Sequence, residues 1–411
     1  MRMVGFQEPL SVNYQFLHQR HQQDFIKNVS ISDTATCEGT SARLVENLEV
    51  FNINWSLSRS DSKHRYRFLD FILPGNKFVE LSKKYKVSIA TQTSLEWLHF
   101  IVNLSQHWTG PVSLAVFVGG EEFLLAKLYI TYLRECFPHV KDQISFHLAY
   151  SMDYPPSDDP KPEFKYKQNC TNPEAVLSDL LKYQSPRTIN WKNNTLYPQN
   201  HLRNQARRNC QTEYVYVTDV DIVPCIGMAD SLDAFLRKSQ CERLCAYVIP
   251  VYELDEKVSF PRNKAEMLKM AKKRLARPYH QMVYSPAQSS TDYKRWESNT
   301  EDATGPVHVN HNITKCKEWY EPFYVARACV PDYDERFIGY GFTRNTQTFE
   351  MITAGYQFQV LSPIFSYHWG LRTYKNNYNV RRYKQVRTNA ALFLSFRAEV
   401  IARYPKGQRA C

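Results

Sequence analysis

The chain has 411 residues, 43% of them hydrophobic and 23% charged, proportions that bury a large core and exclude a disordered chain. Lys and Arg exceed Asp and Glu by 52 − 41 = 11, which suits anionic partners such as phosphate-bearing substrates. The basic residues are scattered without a block of like charge, which argues against a nucleic-acid binder, and no run of 18 apolar residues offers a membrane span.

Residues 1–36 hold no apolar stretch that would serve as a signal peptide or anchor, so the chain as written is expected in the cytosol unless a leader precedes it. Residues 1–85, rich in Ser, Asn, Gln and Arg, read as an irregular stem ahead of a folded domain over 86–411. Against the cytosol stand N-x-S/T triplets at Asn28, Asn54, Asn103, Asn169, Asn193 and Asn312, which hint at the secretory pathway.

From Lys86 onwards strand and helix patterns alternate. "KVSIAT" reads as a strand, and Thr93 with Glu96 forms a capping box that starts a helix striped by Leu95, Leu98, Ile101, Val102 and Leu104. "VSLAVFV" is a second buried strand, "EEFLLAKLYITYLREC" a second helix and "ISFHLAY" a third strand. Residues 151–197, with Pro155, Pro156, Pro160, Pro162 and Pro186, read as a loop-rich insertion. "NHLRNQARRNC" is then a short basic helix, and "YVYVTDV" the strand that follows it. This alternation predicts an α/β fold with a mainly parallel central sheet and helices on both faces. Cys241 and Cys245 stand four apart with no C-x-x-C pair and no neighbouring histidine, which argues against zinc.

In such sheets ligands bind beyond the carboxyl ends of the strands. Asp219 and Asp221 fall there, and a period of two puts both carboxylates on one side, with Pro224 stopping the strand. Paired carboxylates are hard oxygen ligands suited to Mg²⁺ or Mn²⁺, which could in turn hold a diphosphate. On spacing alone, carboxylates at a strand end are more often caps or solvated turn residues, and a second such triplet spans Asp332–Asp334. The buried strand before the pair, and an upstream Arg-rich helix able to face phosphate, favour the metal.

"TDVDIVP", "WYEPFYV", "YDERFIGYGF" and "SYHWG", together with "VSIATQTS", "WTGPVSLAVFV", "YPQNHLRNQARRNC", "VIPVYEL" and "DYKRW", resemble the beta-1,4-glucuronyltransferase family. That family includes the second catalytic domain of LARGE-type xylosyl/glucuronyltransferases, and the likeness runs from about Val87 to the final "ARYPKGQRAC". The resemblance implies a GT-A-type nucleotide-sugar fold. It implies a Mn²⁺-dependent, inverting transfer of glucuronic acid from UDP-glucuronic acid to the 4-hydroxyl of a β-xylose on O-mannosyl or related glycans of glycoproteins. It also implies a Golgi membrane protein with a lumenal catalytic domain, although no anchor is visible in this sequence. Oligomeric state is left open.

Carried over residue by residue, the resemblance makes Asp219 and Asp221 the D-x-D pair, with Asp221 the more direct metal ligand, and His368 the third ligand. Trp369 stands where the family often has a lysine, leaving Arg372, Lys375 or the metal alone to meet the diphosphate. Thr91, Gln92 and Thr93 fall at the uridine cradle, and Arg203 and Asn204 among the donor contacts. Inversion needs a base for the acceptor hydroxyl. Asp334 is the first choice, with Glu321 and Glu335 the alternatives, and Trp319, Tyr320 and Phe323 are either a platform for a sugar ring or part of the core. A paralogue using another UDP-sugar, or a silent glycan-binding protein, would share most of these residues. An intact Asp219–Asp221–His368 set argues against the silent form.

Overall fold

A computed structural model describes residues 51–407 except 52, 158–169, 240, 242–243, 301–302, 304, 374–378 and 406, so Asn28, Asn169 and Lys375 lie outside the described residues. By internal contacts the chain divides after Thr40, and every described residue belongs to the second unit. In chain order its strands are β1 (Arg59–Ser60), β2 (Tyr66–Leu73), β3 (Val87–Ser94), β4 (Val112–Phe117), β5 (Ile144–Ser151), β6 (Tyr214–Val217) and β7 (Ile222–Pro224). There follow β8 (Cys245–Val248), β9 (Val251–Leu254), β10 (Ala276–Pro278), β11 (His308–Asn312), β12 (Tyr324–Arg327), β13 (Gln357–Ser362) and β14 (Ser366–Trp369).

The period of two along the central strands builds two cores. Val87 and Ile89 of β3 join Val112, Leu114 and Val116 of β4 on one face, under helices Ile101–His107, Glu122–Cys136 and Met228–Lys238. Ala90, Ala115, Phe117, Val215 and Val217 point the other way, onto Leu202 and Ala206 of helix Gln199–Arg208. Helices therefore cover both faces, as the alternation predicts.

Among the described residues the main sheet runs β1-β2-β5-β4-β3-β6-β12-β8-β13-β11. Pairings are parallel from β5 through β4 and β3 to β6, and again between β8 and β13. β12 is inserted antiparallel between β6 and β8, and β2 and β11 pair antiparallel at the two ends. A parallel centre broken by one antiparallel strand beyond β6 is the GT-A-type α/β arrangement that the resemblance implies. The sheet as a whole is mixed.

A smaller sheet, β10-β9-β14-β7, carries the site. Its register aligns Arg277 with Glu253, Glu253 with His368, and His368 with Ile222, so one rung crosses all four strands immediately after Asp221.

Several local expectations change. Pro224 does not stop the β6 strand; it is the last residue of β7 in the other sheet, and the chain bends between at residues 218–221. The capping box at Thr93 does not form, because β3 continues to Ser94 against Phe117; Thr93 Oγ1 donates to the Ser94 carbonyl, and Glu96 pairs with Lys192. Residues 59–84 are not irregular: β2 extends the main sheet and Phe78–Lys84 is a helix. Among the described residues of 151–197 stand the helices Pro173–Leu181 and Pro186–Asn194, each with proline at its start and an Asn or Ser cap. Cys241 and Cys245 form a disulfide, as do Cys136 and Cys170.

The "YDERFIGYGF" stretch is held by the carboxyl-terminal helix Val380–Arg403. Phe337 and Phe342 pack on Phe393, Phe396 and Val400, and Asn389 Nδ2 donates to the carbonyls of Ile338, Tyr340 and Gly341. Gly341 needs its left-handed φ of 89°, and a Cβ there would meet Val386 Cγ2 at 2.8 Å.

Candidate active site

β6 ends the parallel run, and the bend after it turns Asp219 towards buried cations. Its Oδ1 accepts from Arg344 Nη2 at 2.9 Å, Arg203 Nη2 at 3.2 Å and Gln92 Nε2 at 3.4 Å. Burial works against ionisation, but Arg344 and Arg203 outweigh it and hold this carboxyl well below the ordinary range. Arg344 also donates to the Val217 carbonyl at 3.2 Å and lies over the Phe323 ring at 4.2 Å. Arg344→Met is expected to destabilise the fold by about 3 kcal/mol, since removing one member of a buried pair strands the other. Chemical denaturation measures this, and a loss under about 0.5 kcal/mol, the ordinary range of an indifferent surface change, would show that Arg203 alone suffices.

Asp221 faces the smaller sheet. Its Oδ2 lies 3.3 Å from His368 Nε2, placed there by the β7–β14 register. His368 Nδ1 is 3.1 Å from the Gly370 carbonyl, which can only accept, so Nδ1 carries the proton. Arg372 Nε and Nη2 point at His368 Nε2 from 3.1 and 2.8 Å, which a proton on Nε2 would oppose. His368 therefore presents a lone pair beside a carboxylate. Burial opposes ionisation of Asp221 too, but its ion pair with Arg372 prevails and lowers its pKa.

Beneath them the fully buried Glu253 accepts from Arg277 Nε at 2.8 Å, His280 N at 2.9 Å and Arg372 N at 3.1 Å. It ties β9, β10 and the segment after β14 together. His280, with a left-handed φ of 60°, stacks on Tyr279; burial first, then Arg372, pushes its pKa down to about 3.

Two of the three expected metal ligands converge. Asp221 Oδ2 and His368 Nε2 are close enough to share one ion at ligand bonds of about 2.0–2.2 Å, and the histidine already has the tautomer a ligand needs, fixed by a backbone carbonyl. Asp219 is instead spent on arginines, and no group of three His, Cys, Asp or Glu side chains is gathered for a metal among the described residues. The donor set thus fits a divalent ion through one oxygen and one nitrogen, with its other positions open to water or phosphate.

Of the uridine cradle, all three residues are buried at the end of β3: Thr91 Oγ1 has no partner among the described residues, and Gln92 also accepts from Tyr197. Arg203 reaches the site and Asn204 does not. A helical step of one residue turns Asn204 to the other side, where Nδ2 holds the Tyr333 carbonyl and Glu335.

The base candidates separate. Asp334 is clamped by Arg336, through Nε at 3.0 Å to both oxygens and Nη2 at 2.7 Å, and Arg336 reaches on to Glu399 of the last helix. Asp334 and Glu335 line a cavity of about 280 Å³ with Asp61, His201 and Arg208. Among the described residues Asp334 is connected to Asp219 only indirectly, its main-chain carbonyl accepting from Asn200, which accepts from the Arg203 that binds Asp219. Glu321 differs. Its partly buried carboxylate has no hydrogen-bond partner among the described residues, and it lies in the field of Arg344, Arg203 and Asp219. Burial raises its pKa above the ordinary value, with Asp219 adding and the arginines opposing.

The stacking platform does not form: Tyr320 and Phe323 are core residues, and Trp319 packs against Phe342 and Phe393. Trp369 packs edge-on against Phe260, so it does not replace the family's lysine. Arg344, Glu253 and His280 are functional neighbours that no spacing in the sequence singles out.

A model of the family described as "Glycosyl-transferase for dystroglycan" matches residues 86–405. The chain is 30% identical over 338 residues to beta-1,4-glucuronyltransferase 1 of Danio rerio, covering 80% of this chain and 76% of that protein. It is 32% identical over 332 residues to beta-1,4-glucuronyltransferase 1 of Homo sapiens, covering 79% and 77%. A xylosyl- and glucuronyltransferase LARGE2s of Gallus gallus is 26% identical over 295 residues, covering 71% of this chain and 33% of that one. The matched span contains every side chain of the site from Gln92 to Arg372, and the chain is a glycosyltransferase that belongs to this dystroglycan glycosyl-transferase family.

Proposed function

We propose that the protein is an inverting, Mn²⁺-dependent UDP-glucuronate:β-xylose β-1,4-glucuronyltransferase, acting on xylose-ended O-mannosyl or related glycans of glycoproteins in the Golgi lumen. The observation that carries the reading is the convergence of Asp221 Oδ2 and His368 Nε2 at 3.3 Å beyond the carboxyl end of β6. Asp221 and His368 would hold the ion, the nitrogen donor favours a transition metal, and when bound it would neutralise charge on the leaving diphosphate. Arg344 and Arg203 fix Asp219 at the donor side of the cleft, and Gln92 and Thr91 offer polar groups from β3 to the nucleoside. Glu321 takes the proton from the acceptor 4-hydroxyl. Its raised pKa brings it nearer to neutrality, as a general base requires. The lumenal setting is supported by the disulfides and by exposed sequon asparagines at Asn54, Asn193 and Asn312.

The sign of the pH dependence follows. A base works deprotonated, so kcat/KM should fall as pH drops through the pKa of Glu321. That acid limb should lie above the ordinary glutamate value of 4.5, and Glu321→Gln should remove it. A limb at or below 4.5 would take the role from Glu321. The reaction is tested by offering each UDP-sugar, with Mn²⁺, against a β-xyloside and reading the product linkage by NMR. Transfer from UDP-glucuronate into a β-1,4 linkage is expected; transfer from a different UDP-sugar alone would overturn the donor assignment.

A further inference from the structure

The Asp221–His368 notch already holds a cation, and it belongs to the protein. Two lone-pair atoms 3.3 Å apart repel unless positive charge stands between them. Arg372 Nη2 does so, 2.9 Å from Asp221 Oδ2 and 2.8 Å from His368 Nε2. One guanidinium nitrogen thus sits against both atoms that would ligate a metal.

We propose that Arg372 is a resident counter-cation of the Asp221–His368 pair, displaced by the divalent ion, and that the displaced guanidinium then binds the diphosphate of the nucleotide. The inference rests on the assignment of Asp221 and His368 as metal ligands.

The segment is built for a side chain that moves on a main chain that does not. Arg372 N is anchored to Glu253 Oε2 at 3.1 Å, and its carbonyl accepts from Arg277. Glu253 is in turn fixed by Arg277 and by His280 N at 2.9 Å. The Arg372 side chain itself is 30% exposed, so solvent and ligand can reach it. In the same pose Nη1 is 3.5 Å from His280 Nε2 and the guanidinium is 5.4 Å from the Tyr279 ring centre, so the side of the group away from the notch already has neighbours. A swing about the side-chain bonds frees the notch without breaking the backbone anchor.

Charge decides when the swing is favourable. Asp219 is already matched by Arg344 and Arg203, so Asp221 is the free negative charge and Arg372 cancels it. A divalent ion arriving alone must expel a like-charged group that has two good contacts. An ion arriving with a diphosphate gives that group an anion to bind instead. Arg372 therefore opposes metal binding in the absence of nucleotide and supports it in its presence, which makes the two ligands mutually dependent.

The test is calorimetric, with the full chain, MnCl₂ and UDP, and needs no turnover. For Arg372→Gln, Mn²⁺ alone should bind about tenfold more tightly than to the parent, within the usual span of site–site coupling. UDP at saturating Mn²⁺ should bind about 10–100-fold more weakly, the usual worth of hydrogen bonds to a charged group. Arg372→Lys, which keeps the charge but cannot span both atoms, should fall between the two for Mn²⁺ and stay near the parent for UDP. Thermal unfolding checks that each variant is folded, and the lysine variant carries the comparison should the glutamine variant not fold. Equal or weaker Mn²⁺ binding by Arg372→Gln would overturn the displacement, and unchanged UDP affinity would overturn the diphosphate contact. The parent and Asp221→Asn, titrated alongside, separate this from the metal assignment: if they bind Mn²⁺ alike in the presence of UDP, it is the ligand assignment that fails.

Discussion

Asp221→Asn should lower turnover by roughly 10³-fold, because metal stabilisation of a leaving group is worth several kcal/mol and each 1.36 kcal/mol is about tenfold in rate. Mn²⁺ and UDP affinity should fall together. The amide keeps the carboxylate's shape and can still accept from Arg372, so folding should be little affected. Asp219→Asn should behave differently. It leaves Arg203 and Arg344 buried without their counter-charge, so its main effect should be on stability rather than on the metal. Calorimetry with Mn²⁺ and UDP, a rate assay and a melting curve on the two variants separate these roles. Undiminished activity of the parent in excess EDTA, or unchanged Mn²⁺ affinity of Asp221→Asn, would sink the ligand role.

Glu321→Gln should reduce kcat by about 10²–10⁴-fold, the usual effect of removing a general base, while UDP binding stays near the parent value. Glutamine keeps the volume and polarity of a side chain that has no hydrogen-bond partner to lose among the described residues, so the fold should tolerate it. Asp334→Asn is the control that distinguishes geometry from motif. Its carboxylate links Arg336, and through it Glu399, to the loop that carries Phe337, so removing the charge should cost about 1 kcal/mol of stability. Turnover at a temperature where the variant is folded should remain within a few-fold. If Asp334→Asn loses the rate and Glu321→Gln keeps it, the proton acceptor is Asp334 after all.

How much of this was legible beforehand depends on the range of the interaction concerned. Alternation of β-branched and aromatic residues with helical stripes is a local signal, and it located β3 to β6 and helices Ile101–His107, Glu122–Cys136 and Gln199–Arg208, because burial on both faces leaves such strands little choice of register. It did not locate the helices Pro138–Gln143, Pro173–Leu181 and Pro186–Asn194, since short helices carry a weaker stripe. It also put Asp219 and Asp221 beyond the end of a parallel strand. The ends of elements were less legible: Thr93 looks like a cap only until β3 is seen to pair as far as Ser94. The stretch from Arg59 to Lys84 holds β1, β2 and a helix, and β2 has six of its eight residues buried; the apolar run "YRFLDFIL" was a local signal that the polar composition of residues 1–85 as a whole concealed.

Taken alone, the sequence determined the α/β class, the strand-end position of the two aspartates and, through ordered motifs, the family. Tertiary structure alone decided which of those residues work together. Asp219 and Asp221 are two residues apart, yet a bend sends one to Arg203 and Arg344 and the other to His368, 147 positions away, because β7 leaves the main sheet for a register set by β14. "YDERF" gave no hint that its aspartate is fastened to the last helix, nor "WYEPF" that its glutamate lies free in a field of charge. Ion pairing is set by distance in space, which a chain folded across two sheets does not record in its spacing. The same holds for Arg372, whose place in the notch follows from Glu253 on a neighbouring strand, 119 residues earlier.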